Sequence, residues 1–199
     1  LFSLKGMVTK FKGIKTAAEY RRGEITRDIL RLIGAGVVMG TAVAAPNVVQ
    51  LLDMFDPKGR AQRNKIWKAI KYLESQERIR ISEERGERIL ILTKRGQVAL
   101  DQLSIEELTV KQPLMWDRKW RVVMFDIPMY KSRNRIPFRE KIQDLGFAMY
   151  QKSVWVYPYE CREEVLMVAE HYEVREYIRY LTVEEMSNMR EFVKKFDLL

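Results

Sequence analysis

Cysteine and histidine are almost missing: Cys161 and His171 are the only ones among 199 residues. A single cysteine rules out an internal disulfide and suits a reducing compartment, so a cytoplasmic location is expected. One thiol and one imidazole also cannot make the usual structural zinc site within one chain. There is no glycine-rich loop of nucleotide-binding spacing, and no secretory signal is recognisable at the start. The chain begins with Leu1 rather than Met, which reads as a trimmed product or a fragment. Charge is missing from residues 32–52, a stretch close to the roughly 20 residues of a spanning helix. Gly34, Gly36, Gly40, Thr41, Pro46, Asn47 and Gln50 interrupt it, however, and Pro46 breaks a single helix. It reads as a buried pair of shorter helices, and no membrane partner is expected.

What is present is apolar matter and positive charge. Hydrophobic residues make up 47% and charged residues 32%, enough for a packed core beneath a polar surface. The net charge of +9 favours an anionic partner. Its distribution is uneven. Residues 1–116 carry 21 Lys/Arg against 13 Asp/Glu, or +8, and residues 117–199 carry 15 against 14. Two modules are expected, of which the first meets the polyanion.

Residues 1–22 form a basic arm with Lys5, Lys10, Lys12, Lys15, Arg21 and Arg22. A first module is expected over residues 23–103. Thr26 can cap a helix carrying Ile29, Leu30 and Ile33, and Pro46 suits the first turn of a second helix. Residues 56–59, Asp-Pro-Lys-Gly, signal a turn. Residues 60–76 then form an amphipathic helix with Ile66, Ala69, Ile70 and Leu73 inward. Alternation predicts strands over 78–82 and 88–92, separated by a polar tip over 83–87. Thr93 caps a further helix through Val98 and Leu100. Residues 104–119 link to a second module over 120–199, with Trp116 and Trp120 packing at the junction. Its pattern is strand 121–127, helix 132–145 stopped by Gly146, hairpin 148–157, helix 162–171 with Val165, Leu166 and Val168 inward, and strand 177–183. A short helix follows over 184–199. This order is βαββαβ, the ferredoxin-like sequence of elements.

Three helices followed by a hairpin is the winged helix-turn-helix order, so the fold class is α+β. The 60–76 helix stands in the recognition position, whose early residues meet base edges in the major groove. Arg60, Gln62, Arg63, Asn64 and Lys68 offer suitable chemistry, since Arg reaches guanine through two bonds and Asn or Gln does so with adenine. Lys65, Lys71, Arg85 and Arg88 suit phosphates, which position without specifying. A double-stranded DNA partner is expected.

Leu92-Thr93-Lys94-Arg95-Gly96 after a wing strand is similar to many winged-helix repressors. More specific are Lys119-Trp120-Arg121-Val122-Val123-Met124-Phe125-Asp126-Ile127-Pro128, Leu145-Gly146-Phe147 and the run from Gln151 to Tyr159. Together these resemble the PaaX-type transcriptional regulators, in which a winged helix precedes a central domain resembling the small CRISPR adaptation nuclease. The resemblance covers roughly residues 24–183. It implies a homodimer formed through the ferredoxin-like domains and repression by binding an inverted-repeat operator. Longer family members carry a further carboxy-terminal domain associated with an acyl-CoA effector. This chain ends near residue 199, which argues against a phenylacetyl-CoA response.

The resemblance also implies an enzymatic alternative. The aspartate of the nuclease that matches Asp126 is proposed to bind a divalent metal across the dimer axis, so paired Asp126 carboxylates on Mg²⁺ would support phosphodiester cleavage. Each chain offers one obvious carboxylate there, and a strand-end Asp bonded to the loop before Pro128 is the plainer reading. No catalysis and no cofactor are expected. Cys161 reads as a small buried or solvated residue, His171 as a helix-end residue, and Trp155, Tyr157 and Tyr159 as core or dimer contacts.

Overall fold

Residues 23–38, 47–55, 59–84 and 86–198 are described by the computed structural model, which divides into Leu1–Leu103 and Ser104–Leu199. The basic arm, Pro46, the turn residues 56–58 and Arg85 lie outside the described residues. The described architecture is α+β, with two antiparallel sheets of two and four strands.

In the first unit, apolar residues at helical spacing put one face of each helix into a shared core. Helix α1 (Glu24–Val38) buries Ile25, Ile29, Leu32 and Ile33, and α2 (Val48–Met54) buries Val48 and Leu51. Helix α3 (Arg60–Ser75) adds Ile66, Ile70 and Leu73. The uncharged stretch thus supplies two separate helices. No helix among the described residues is long and apolar enough to cross a membrane. Thr26 lies within the first turn of α1 and does not precede it. That turn already starts three residues earlier, where the Arg27 N–H bonds the Gly23 carbonyl at 3.3 Å.

Strands β1 (Ile79–Glu84) and β2 (Glu87–Leu92) form an antiparallel hairpin whose Ile79 and Leu90 close the same core. The tip is shorter than the polar run predicts. Glu84 still pairs with Glu87, so two residues make the turn, and Gly86 takes the positive φ of +77° that such turns require. Helix α4 (Lys94–Glu106) begins as expected from Thr93. Its Oγ1 accepts the Gly96 N–H at 3.0 Å and donates to the Arg78 carbonyl at 3.0 Å. Leu100 is half-buried, whereas Val98 faces solvent.

The second unit is built around β3 (Trp120–Phe125). After it come α5 (Ser132–Asp144), β4 (Ala148–Gln151), β5 (Val154–Tyr157), α6 (Arg162–His171), β6 (Ile178–Val183) and α7 (Met189–Lys195). The sheet order is β4-β5-β3-β6 with every neighbour antiparallel, so β3 is flanked by strands that follow it in the chain. Alternation along β3 divides the apolar matter between two faces. Val123 and Phe125 join Phe138 and Ile142 of α5 and Val165 and Val168 of α6. Trp120 and Val122 face the other way, with Phe192 of α7 against them. Trp116 packs edge-on against Trp120 at 5.0 Å on that face, within the second unit. Leu166 is half-buried, and Tyr177 belongs to a 3₁₀ turn (Arg175–Tyr177) that postpones β6 by one residue. Gly146 follows the end of α5, and its N–H bonds the Gln143 carbonyl at 2.9 Å.

Two buried cations are held by fixed acceptors. Arg121 binds both oxygens of Asp117 at 2.7 and 2.6 Å, Glu160 at 3.2 Å, and the carbonyls of Lys119 and Pro158 at 2.8 and 2.9 Å. The Asp117 hydrogen bonds hold the guanidinium's pKa above its usual value despite burial. Lys141 donates to the carbonyls of Glu106 and Leu108 at 3.0 and 3.2 Å, serving acceptors at and just beyond the end of α4.

Candidate nucleic-acid interface

Helix α3 is fixed at both ends. Its first turn closes from Arg63 N–H to the Gly59 carbonyl at 3.1 Å. At the other end Glu77 takes a left-handed φ of +54°, with Glu77 N–H on Glu74 O and Arg78 N–H on Leu73 O, both at 2.9 Å. This pair of bonds satisfies the last carbonyls and turns the chain into β1. With Ile66, Ile70 and Leu73 inward, a period of 3.6 residues brings Arg60, Asn64, Lys68 and Lys71 together on the outward side. All four are exposed. Arg63 is exposed on one flank, beside half-buried Trp67, and Lys65 is exposed on the other. Gln62 is not brought to this stripe: it is half-buried, near the core side of the helix.

Charge along α3 is graded. Arg60, Arg63, Lys65 and Lys68 precede any acid of the helix, and the first acid is Glu74. Lys71 is tied to that carboxylate at 2.8 Å, with its ammonium 5.5 Å from the centre of the Trp67 ring. The strongest positive field therefore belongs to the first three turns. Tyr72, 53% exposed on the Lys65 flank, is a further candidate absent from the sequence-predicted set. The spacing 65, 68, 72 was the available signal.

The hairpin beside α3 has a different charge balance. Arg88 is exposed on β2, directly opposite Glu83 in the register. Arg85 lies outside the described residues. Asn47 bridges to Ile89 and donates its Nδ2 to Glu87 at 3.0 Å, while its Oδ1 accepts the Val49 N–H at 2.7 Å.

In the second unit, Asp126 follows the last residue of β3. Its N–H bonds the Tyr177 carbonyl at 3.1 Å and its side chain is exposed. Among the described residues no group of three or more His, Cys, Asp or Glu is arranged to hold a metal ion. Burial pushes the Cys161 thiol up to about 12, against the lowering effect of its contact with Tyr180, so it is neither acidic nor open to solvent. His171 ends α6 with its ring against Tyr172, and Trp155 and Tyr157 are core residues.

The sheet of this unit and the elements around it coincide with a known family model. Residues 113–193 match the PaaX protein central Cas2-like domain. The matched Cas2-like segment starts in the connector before β3 and ends inside α7, so it takes in the Arg121 network, Asp126 and both faces of the sheet. No curated protein matches the chain. Among solved structures, it is similar to an uncharacterized protein from Mycobacterium tuberculosis. The two share 14% identity, with 85% of this chain and 67% of that one covered, at a TM-score of 0.39.

Proposed function

We propose that the protein is a sequence-specific DNA-binding transcriptional regulator of the PaaX type, acting in the cytoplasm as a homodimeric repressor on an inverted-repeat operator. The observation that carries this reading is the exposed cationic stripe on α3, whose first three turns hold four cations and no acid. The order α1-α2-α3-hairpin-α4 supports a winged helix-turn-helix in which α3 enters the major groove. Arg60, Arg63, Asn64 and Lys68 read base edges there, and Lys65 and Lys71 meet phosphates. The β-α-β-β-α-β order of the second unit and its strand arrangement support a ferredoxin-like dimerisation domain. The match to the PaaX central domain supports the regulatory role.

Selection of bound genomic fragments by the full chain, followed by sequencing, supplies the operator. Duplex binding is then measured by fluorescence anisotropy against salt. Arg63→Ala or Asn64→Ala is expected to relax sequence preference by about 1–3 kcal/mol, and Lys71→Ala to weaken all sequences alike. If none of the three changes duplex binding, α3 is not the recognition helix.

A further inference from the structure

The hairpin has the wrong charge for the usual task of a wing. Residues 83–88 read Glu-Glu-Arg-Gly-Glu-Arg, three acids against two arginines. Glu83 stands opposite Arg88, at a spacing where opposite charges offset one another. Glu84 stands opposite Glu87 next to the turn, a like-charge pair. The tip is also held in place. Glu87 accepts the Asn47 side-chain N–H, and the Asn47–Ile89 bridge ties the tip-side half of β2 to the residue before α2.

We propose that this hairpin is a stand-off wing: latched through Asn47 and Glu87, its acidic tip repels phosphate beside the duplex, and the backbone contacts come from α3. The inference rests on the DNA-binding reading and replaces the expectation that Arg88 holds a phosphate.

The test uses the full chain and a pool of fluorescein-labelled 30-base-pair random-sequence duplexes, titrated by anisotropy between 50 and 200 mM NaCl, with circular dichroism checking that each variant keeps its fold. Arg88→Ala is expected to leave Kd within about two-fold and the salt slope unchanged, because no counterion-releasing contact is lost. Glu84→Lys is expected to tighten binding several-fold and steepen the slope by about one. Lys71→Ala is expected to weaken binding and lower the slope by about one. If Arg88→Ala weakens binding as much as Lys71→Ala, or Glu84→Lys fails to tighten it, the stand-off wing is wrong and the DNA-binding reading survives. If the wild-type chain binds no duplex, or Lys71→Ala leaves binding unchanged, that reading falls and takes the inference with it.

Discussion

Replacing Arg121 with Met keeps most of the side chain's volume and removes its charge. Arg121 is 4% exposed, and its guanidinium engages two carboxylates and two carbonyls. Removing one partner of a buried ion pair costs about 3–5 kcal/mol. Here the Asp117 and Glu160 side chains are 47% and 61% exposed. Both carboxylates rehydrate when freed, so the ionic part falls toward the surface value of about 0–1 kcal/mol per pair. The buried Pro158 carbonyl has no such recourse, and an unsatisfied acceptor costs about 1–3 kcal/mol. The expected loss is about 2–4 kcal/mol, equivalent to about 10–25 °C in the melting of a unit this size. Urea unfolding followed by tryptophan fluorescence reports it, since Trp116, Trp120 and Trp155 belong to this unit and only Trp67 to the other. The acid limb supplies a second readout. The Arg121 hydrogen bond holds the Asp117 pKa below its ordinary value. Glu160 is likewise lowered, as burial is outweighed by the Arg162 N–H, Arg121 and the Tyr180 hydroxyl. A depressed carboxylate stabilises the fold above its unfolded pKa, and that contribution is lost as pH falls through the folded value. Wild type should therefore lose stability below about pH 4 more steeply than Arg121→Met. A loss under about 1 kcal/mol, or identical acid limbs, would refute the reasoning.

Two further outcomes follow from packing. A Cβ placed on Gly96 comes within 1.9 Å of the Arg78 carbonyl oxygen, a backbone atom that cannot turn aside. Gly96→Ala should lower the stability of the first unit by at least about 2 kcal/mol in urea unfolding followed by circular dichroism, and an unchanged midpoint would show that α4 and β1 are not in this contact. Cys161, buried and with its thiol pushed up to about 12, should react with an aromatic disulfide reagent at pH 8 at least about a hundred-fold more slowly in the folded chain than in urea. Equal rates would put the thiol at the surface.

Much of the fold was legible because its signals are local. The period of Ile66, Ile70 and Leu73 marks α3, alternation marks β1 and β2, and Arg162–His171 is helical over the predicted span. Boundaries shifted where backbone geometry outweighed composition. The polar residues Glu84 and Glu87 read as loop, yet the positive φ of Gly86 lets strand pairing continue to them. In the candidate interface, exposure of Arg60, Arg63, Asn64, Lys65, Lys68 and Lys71 followed from helical spacing. Gln62 did not, because its place in the first turn carries it toward the core side. The burial of Arg121 and Lys141 was not readable at all. Asp117 lies only four positions from Arg121, but the partners that complete the two sites, Glu160 and Glu106, lie 39 and 35 positions away, and no periodicity links residues so distant.

The strand order of the second unit also sets a schedule. Strand β3 is made first of the four, but one of its edges waits for β5 and the other for β6, whose Val183 pairs with Trp120. A nascent chain emerging from the ribosome therefore carries a strongly apolar strand with both edges open until β5 is made, and with one edge open until β6, close to the end of the unit. Loop closure of that length slows folding, and an open apolar strand is a template for pairing with another chain. The hairpin of the first unit closes within a few residues and has no such delay. Aggregation during synthesis should thus originate in β3.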